Sequence, residues 1–292
     1  MDVSKPETLQ KPRMLCLHGG GVSAKIFRLQ ARQLRQTLAP YFRLVFADGP
    51  FPSEMHPDLI PVYRNMGPCY SWADLSSQCI FADGAPDTKT IADKIRVSLL
   101  RAMEADPGTG NWVGLLGFSQ GARLAVSILL EDEIRQKEIN CNTPDCAFLG
   151  VKWHFGVLLA GRGPPYALSH RTMHRPQFGH PGPMTQMIDS IESLTSDPLF
   201  DLLEPWDILS TPTLHVHGLR DPGLPFHQLL QSHYVAPGSA SVIEWEGEHR
   251  IPICTVDVEA VSRGILQIAK VGDASESVDD HLTSNQQDTR AI

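Results

Sequence analysis

Short apolar runs recur along this chain and are separated by longer stretches in which apolar residues follow a spacing of three and four positions. Each run has the length of a buried strand, and it ends at a glycine, a proline or a polar residue. The predicted strands are Arg13–Leu17, Phe42–Ala47, Trp112–Leu116, Phe155–Leu159, Thr213–His217 and Ser241–Trp245. Runs of this kind predict strands that are covered on both faces.

The stretches between the strands predict helices with one apolar face. Ser23 is the predicted cap of the first helix, and Pro40 ends it. The other predicted helices are marked by Ile91 to Met103, Ala122 to Leu130, Pro225 to Ser232, and Val258 to Ile268. Strands that alternate with helices predict an α/β protein with a mostly parallel sheet and helices on both of its faces.

The same pattern divides the chain into segments. We expect a polar leader over residues 1–12, one α/β domain over residues 13–271 and a disordered tail over residues 272–292. Residues 50–88 and 161–205 show no clear period and are rich in Pro, so they are predicted to form irregular cap or lid segments within the domain.

Composition excludes several classes of partner. The 292 residues are 42% hydrophobic, which is enough for a large core, and the net charge of -8 argues against nucleic acid or an anionic membrane surface. No apolar run approaches about 18 residues, so no membrane span is expected. The polar N-terminus and six cysteines without a CxxC pair predict a cytoplasmic protein with free thiols, although Cys141 and Cys146 could pair.

The pentapeptide Gly117–Gly121 directly follows the predicted strand Trp112–Leu116 and precedes the predicted helix Ala122–Leu130. This is the G-x-S-x-G pattern of a nucleophile elbow, in which a sharp strand-to-helix turn exposes a serine hydroxyl above the sheet. The flanking glycines leave room for the strained turn. Ser119 is therefore the predicted nucleophile, and the alternative is a serine in an ordinary strand-helix turn.

A serine nucleophile needs a base, and the base needs a third group that fixes its tautomer. Asp221 follows one predicted strand and His249 follows the next, which gives the chain order Ser, Asp, His that is typical of α/β-hydrolases. Two alternatives stay open: Asp221 begins an Asp-Pro-Gly turn, and His249 could be a solvated loop histidine. All of these positions follow strands, where sites gather in parallel sheets.

The glycines after His18 have a chemical use in such a site, because a tetrahedral intermediate needs two N–H donors for its oxyanion. We expect one donor from Gln120 and the other from Gly20, with Gly21 or Val22 as alternatives. A phosphate loop is excluded, since the Lys-Ser/Thr ending is absent. No cofactor is predicted.

A metal site is not predicted either. Three histidines, His170, His174 and His180, lie close together in the sequence, but no acidic residue accompanies them.

Aromatic and methionine side chains in the two irregular segments predict a substrate pocket with few charges. Such side chains suit an acyl chain better than a peptide, although they could also serve only to pack the loops. The predicted substrate contacts are Phe51, Tyr70, Trp72 and Trp206, with Met66, Phe81, Met184 and Met187 in the same segments.

The ordered motifs together resemble the FSH family of serine hydrolases, which are α/β-hydrolases known from fungi and animals. The resemblance covers roughly residues 13–270 and runs through the segments Leu15–Gly21, Ile26–Gln30, Phe46–Pro50, Gly117–Ala122 and Val216–Asp221. It implies a triad of Ser119, Asp221 and His249 and esterase or thioesterase activity. One departure is Ser23, where members often have Asn.

Three functions follow as hypotheses. The first is hydrolysis of an acyl thioester through a serine-bound acyl-enzyme. Family members that release a polyketide from an acyl carrier protein are the most similar in character, so such a carrier is a candidate partner. The second is a carboxylesterase that acts on small oxygen esters with the same residues. The third is a catalytically silent fold that binds an acyl ligand, against which the complete Ser119, Asp221 and His249 set argues.

Overall fold

The computed structural model describes residues 9–74, 88–139, 147–175, 178–179 and 207–270. The predicted tail and most of the predicted leader lie outside these residues. So do several side chains that the sequence analysis selected: Cys141, Cys146, Phe81, His180, Met184, Met187 and Trp206.

Six parallel strands form the central sheet in the order β2-β1-β5-β6-β7-β8, which confirms the predicted mostly parallel architecture. A separate pair of antiparallel strands, β3 and β4, lies within the first predicted cap segment. The strands are β1 (Arg13–Leu17), β2 (Arg43–Ala47), β3 (Phe51–Ser53), β4 (Cys69–Ser71), β5 (Trp112–Phe118), β6 (Phe155–Leu159), β7 (Thr213–Gly218) and β8 (Ala240–Trp245).

Helices connect the strands, and several differ in length from the prediction. The helices are α1 (Ala24–Gln30), α2 (Arg32–Leu38), α3 (Ile60–Tyr63), α4 (Thr88–Ala105), α5 (Gln120–Ile139), α6 (His170–Met173), α7 (Leu224–Tyr234) and α8 (255–270). The first predicted helix is two helices that meet at Ala31, and Ser23 caps the first through the Ile26 amide. The helix after Ser119 continues nine residues beyond its predicted end at Leu130.

The sheet separates two apolar cores because successive residues of a strand point to opposite faces. On β1, Leu15 and Leu17 pack into one core together with apolar residues of α4 and α5. Met14 and Cys16 pack into the other core with residues of α1, α2 and α8. Helices therefore cover both faces, as predicted for a parallel α/β sheet.

Four imidazoles are buried in or beside the sheet, on β7, after β1 and on α7. His18, His215, His217 and His227 are each at most 1% exposed. Burial lowers their pKa values below the ordinary 6.5, to about 4 for His18 and to about 3 for His215 and His227. These side chains are therefore neutral at physiological pH.

Acidification should destabilise the fold through these histidines. Each imidazole has a lower pKa in the folded chain than in the unfolded chain, so its contribution is complete above pH 6.5 and is lost as the pH falls toward 3 or 4. Between pH 6.5 and 5.5, His18, His215 and His227 together should cost about 3 kcal/mol, roughly 1 kcal/mol each. Asp132 acts in the opposite direction. Burial raises its pKa to about 7, so the folded chain takes up this proton more readily than the unfolded chain, which offsets about 1 kcal/mol of the loss.

Urea unfolding at pH 6.5 and at pH 5.5 measures the net fall in the free energy of unfolding. We expect it to be at least about 2 kcal/mol, because His217, whose pKa is also lowered, adds to it. His215→Leu should reduce that fall by about 1 kcal/mol because it removes one buried imidazole. His170→Asn is the matched control, since His170 is exposed. A His215→Leu variant with the same pH dependence as the wild type would contradict this account.

Candidate functional site

The turn between β5 and α5 is as tight as the sequence predicted. Ser119 has a φ of 53°, which is the left-handed region that side chains rarely adopt. A Cβ on Gly117 would lie 2.3 Å from the carbonyl oxygen of Gly121, and a Cβ on Gly121 would lie 2.1 Å from the carbonyl oxygen of Leu17. Both glycines are therefore steric requirements of the turn that presents Ser119.

The structure brings Ser119, His249 and Asp221 together in one hydrogen-bonded row. His249 Nε2 lies 2.9 Å from Ser119 Oγ, and its Nδ1 lies 2.7 Å from Asp221 Oδ2. Asp221 follows β7 and His249 follows β8, as predicted. Since a carboxylate only accepts, Nδ1 donates to it, which leaves Nε2 as the acceptor for the serine hydroxyl. This arrangement can remove a proton from Ser119.

The environment of Asp221 keeps its carboxyl group ionised. Burial alone would raise the pKa of this carboxyl. Hydrogen bonds from His249 and from the Gly223 amide, which lies 2.7 Å from Oδ1, outweigh burial and hold the pKa below its usual value. His227 Nε2 lies 3.6 Å from Oδ2, and this side chain was not selected from the sequence because it lies within the helix α7. The row therefore ends in a carboxylate that can stabilise a protonated His249.

The backbone amides of the glycine loop after β1 differ from one another, because some already donate a hydrogen bond and others do not. The amides of Gly21 and Val22 both donate to the carbonyl oxygen of Tyr70, at 3.0 and 3.3 Å. Within the described residues, neither the Gly20 amide nor the Gln120 amide has a hydrogen-bond partner. A Cβ on Gly20 would lie 3.4 Å from Oε1 of Gln120, so the two residues are neighbours. Among the three predicted loop donors, Gly20 is the one whose N–H is available.

Two side chains beneath this loop hold it in place. His18 Nε2 accepts from the Gly49 amide at 2.9 Å, so its proton is on Nδ1, which lies 2.7 Å from the carbonyl oxygen of Gly19. Trp72 Nε1 donates to the carbonyl oxygen of His18 at 2.8 Å. The Trp72 amide donates to Gln120 Oε1 at 2.9 Å, which ties the same segment to the elbow. His18 and Trp72 thus support the site from below.

The predicted substrate contacts need correction. Trp72 is 0% exposed and Phe51 is 7% exposed, and both pack into the core that contains α4 and α5. Tyr70 is partly exposed, but it does not line the cavity above Ser119. For Phe51 and Trp72 the prediction was wrong, because composition does not distinguish an aromatic side chain that faces a cavity from one that packs beneath a loop. Trp206 lies outside the described residues.

A cavity of about 1130 Å³ lies above Ser119 and His249. Its apolar lining includes Val22, Met55, Leu59, Phe118 and Tyr166. The cavity is also lined by many charged side chains, contrary to the prediction of few charges. These are Arg123, Arg162, Arg220 and Arg250 with Glu54, Asp58 and Glu248. The space can hold a ligand with both apolar and charged parts.

One group in the described residues has the spacing of metal ligands. Donor atoms of Asp221, His227 and His249 lie within 4.8 Å of one another. A metal ion there would have to displace the hydrogen bond between Asp221 and His249. His170 and His174, which the sequence analysis considered, are at the two ends of the short helix α6 and are not part of this group. The geometry favours the hydrogen-bonded row over a metal centre.

None of the helices in the described residues combines the length and the apolar character that a bilayer span needs. Cys16, Cys69 and Cys254 are free thiols.

Comparison with known proteins places the chain in a family. Residues 7–261 match the family described as Serine hydrolase (FSH1). The esterase pigG of Monascus ruber is 41% identical over 91% of this chain and 94% of its own, and the esterase dbaE of Emericella nidulans is 40% identical over 90% and 92%. Among solved structures, Arabidopsis thaliana SOBER1 covers 88% of this chain and 99% of its own at 19% identity, with a TM-score of 0.44. From the family match and the two esterases, the chain belongs to the FSH1 family of serine hydrolases, and it is a hydrolytic enzyme with the α/β-hydrolase fold.

Proposed function

We propose that this enzyme hydrolyses an acyl thioester or ester through an acyl-enzyme formed on Ser119. Ser119 Oγ attacks the acyl carbon while its proton moves to His249 Nε2, and the protonated His249 then gives that proton to the departing thiol or alcohol. Water, deprotonated by the same nitrogen, attacks the acyl carbon, and His249 returns that proton to Ser119 Oγ as its bond to the acyl carbon breaks and the carboxylic acid leaves. Asp221 holds the tautomer of His249 and stabilises its charged form.

The continuous row from Ser119 Oγ through His249 to Asp221, with distances of 2.9 and 2.7 Å, is the observation that carries this proposal. The amides of Gly20 and Gln120 are the proposed oxyanion donors, because both are free of other hydrogen bonds within the described residues and they flank the nucleophile. Such donors act on the charge that develops in the transition state.

Two features bear on the substrate. The cavity of about 1130 Å³ slightly exceeds the usual range for small-ligand sites, about 300 to 1,000 Å³, so it leaves room for an acyl chain of several carbons. The relatives are named esterases, which favours an oxygen ester as the second candidate. Release of a polyketide from an acyl carrier protein, in a cytoplasmic pathway, is the finer form of the proposal and has its support in the family resemblance.

Asp221→Asn should leave the protein folded and reduce kcat by about 10⁴, because Asn cannot hold the correct tautomer or stabilise the charged His249. Ser119→Ala should reduce kcat by at least as much, with an unchanged melting temperature. The measurement is initial-rate hydrolysis of p-nitrophenyl hexanoate, with circular dichroism to follow unfolding. Asp93→Asn is the matched control, since Asp93 is exposed on α4 away from the cavity. A Ser119→Ala enzyme with a tenth of wild-type turnover would refute the proposed nucleophile.

Acyl chain length should change kcat/KM over a series of N-acetylcysteamine thioesters from C2 to C12. Each buried methylene contributes about 0.8 kcal/mol, so each carbon should raise kcat/KM about three- to fourfold until the apolar part of the cavity is full. We expect octanoyl to exceed acetyl by at least about tenfold. Matched oxygen esters, measured beside them, decide between the thioesterase and the carboxylesterase.

Met55→Ala should reduce the ratio of octanoyl to acetyl, since Met55 lines the cavity. Val62→Ala is the control on the neighbouring helix α3, because Val62 is 73% exposed and lies outside the cavity lining. A series that is flat, or that peaks at acetyl in the wild type, would exclude an acyl-chain pocket.

A further inference from the structure

Two arginines in the cavity wall are held by neutral groups. Arg123 lies one helical turn after Ser119, its Nε donates to the carbonyl oxygen of Pro164, and its guanidinium lies 3.9 Å from the ring centre of Tyr166. The guanidinium of Arg162 lies 5.4 Å from the ring centre of another aromatic residue, Phe226. Stacking on an aromatic ring orients a guanidinium without neutralising its charge.

A glycine lies against each of these guanidinium groups. A Cβ on Gly179 would lie 2.3 Å from Nη2 of Arg123, and a Cβ on Gly223 would lie 2.5 Å from Nη2 of Arg162. A side chain at either glycine would displace the arginine that it faces. Gly223 also donates its amide to Asp221, so Arg162 lies beside the loop that carries the proposed triad carboxylate. Arg123 is therefore held in place beside Ser119, and the exposed Arg162 lies at the cavity wall next to the Asp221 loop.

These arginines lack the acidic partners that other arginines of the chain have. Arg43 pairs with Asp106, and Arg135 pairs with Glu131. The described residues contribute four arginines to the cavity, and none of the four forms an ion pair: Arg123, Arg162, Arg220 and Arg250. Nη2 of Arg123 is buried without a hydrogen-bond partner.

Carboxylates are present in the cavity, but they do not neutralise these groups. Glu54 and Asp58 come from the segment after β3, and Glu248 comes from the loop after β8. None of the three forms an ion pair with a cavity arginine. The chain as a whole has a net charge of -8, whereas the arginines around the nucleophile are positively charged and lack acidic partners. The guanidinium N–H groups of these arginines that donate to no protein acceptor are available to a ligand.

We propose that Arg123 and Arg162 bind an anionic group of the substrate, either a phosphate or a carboxylate. Arginine binds both groups through paired N–H donors in a planar fork. This assignment rests on the proposed function and narrows its substrate to a thioester or ester that carries a negative charge within reach of Ser119. The charge has two sources: a phosphate on the thiol leaving group, or a carboxylate at the far end of the acyl chain.

Three thioesters with the same acyl length separate these sources. Hexanoyl-N-acetylcysteamine is neutral, hexanoyl-coenzyme A carries phosphates on the leaving group, and adipyl-N-acetylcysteamine carries a carboxylate on the acyl chain. Arg162→Gln should raise KM and lower kcat/KM about tenfold for at least one of the two anionic substrates, and should leave the neutral substrate within about twofold. The affected substrate identifies the source.

Arg263→Gln is the matched control, since Arg263 is 71% exposed on α8 and lies outside the cavity. Gly179→Ala gives a second variant that displaces Arg123 and keeps its charge, and it should weaken the same anionic substrate. Equal losses on all three substrates, or no loss on either anionic one, would overturn the assignment. Wild-type protein that hydrolyses none of the three thioesters and no oxygen ester would instead overturn the proposed function.

Discussion

The close contact between the backbone of Gly121 and the carbonyl of Leu17 is the constraint on which the site depends. Because no Cβ lies between them, the start of α5 packs directly on the end of β1, and Ser119, in the turn just before, has a φ of 53°. The same contact brings the nucleophile beside the loop that follows β1, where the Gly20 amide is available. One steric condition thus positions both the proposed nucleophile and its proposed oxyanion donors.

The rest of the site depends on the charge states of its buried titratable groups. Asp221 is ionised because donated hydrogen bonds replace the water that burial removes, whereas the imidazoles of His18, His217 and His227 are buried and neutral. Neutral imidazoles next to the row add no positive charge that would oppose protonation of His249. The surrounding core can therefore be polar without disturbing the proton transfer that we propose.

Much of this arrangement could be predicted from the sequence, because local signals determine it. The period of apolar residues gave the strands, and the elbow pattern with the order of Ser119, Asp221 and His249 gave the row that the structure brings together. The break of the first helix at Ala31 was missed, since the apolar spacing continues across it.

The sequence did not show which side chains face the cavity, because no motif marks them. Trp72 was assigned to the substrate, but its indole is bonded to the carbonyl of His18 beneath the loop. Arg123 and Arg162 follow different strands and line one cavity only because β5 and β6 are neighbours in the sheet. No pattern within a single segment reports such a meeting. The central claim, an activated Ser119, is tested most directly by a fluorophosphonate probe followed by peptide mapping with mass spectrometry. The account predicts one adduct, on Ser119, that forms at least about 100-fold more slowly in His249→Asn; an adduct on another residue, or equal labelling of Ser119→Ala, would contradict it.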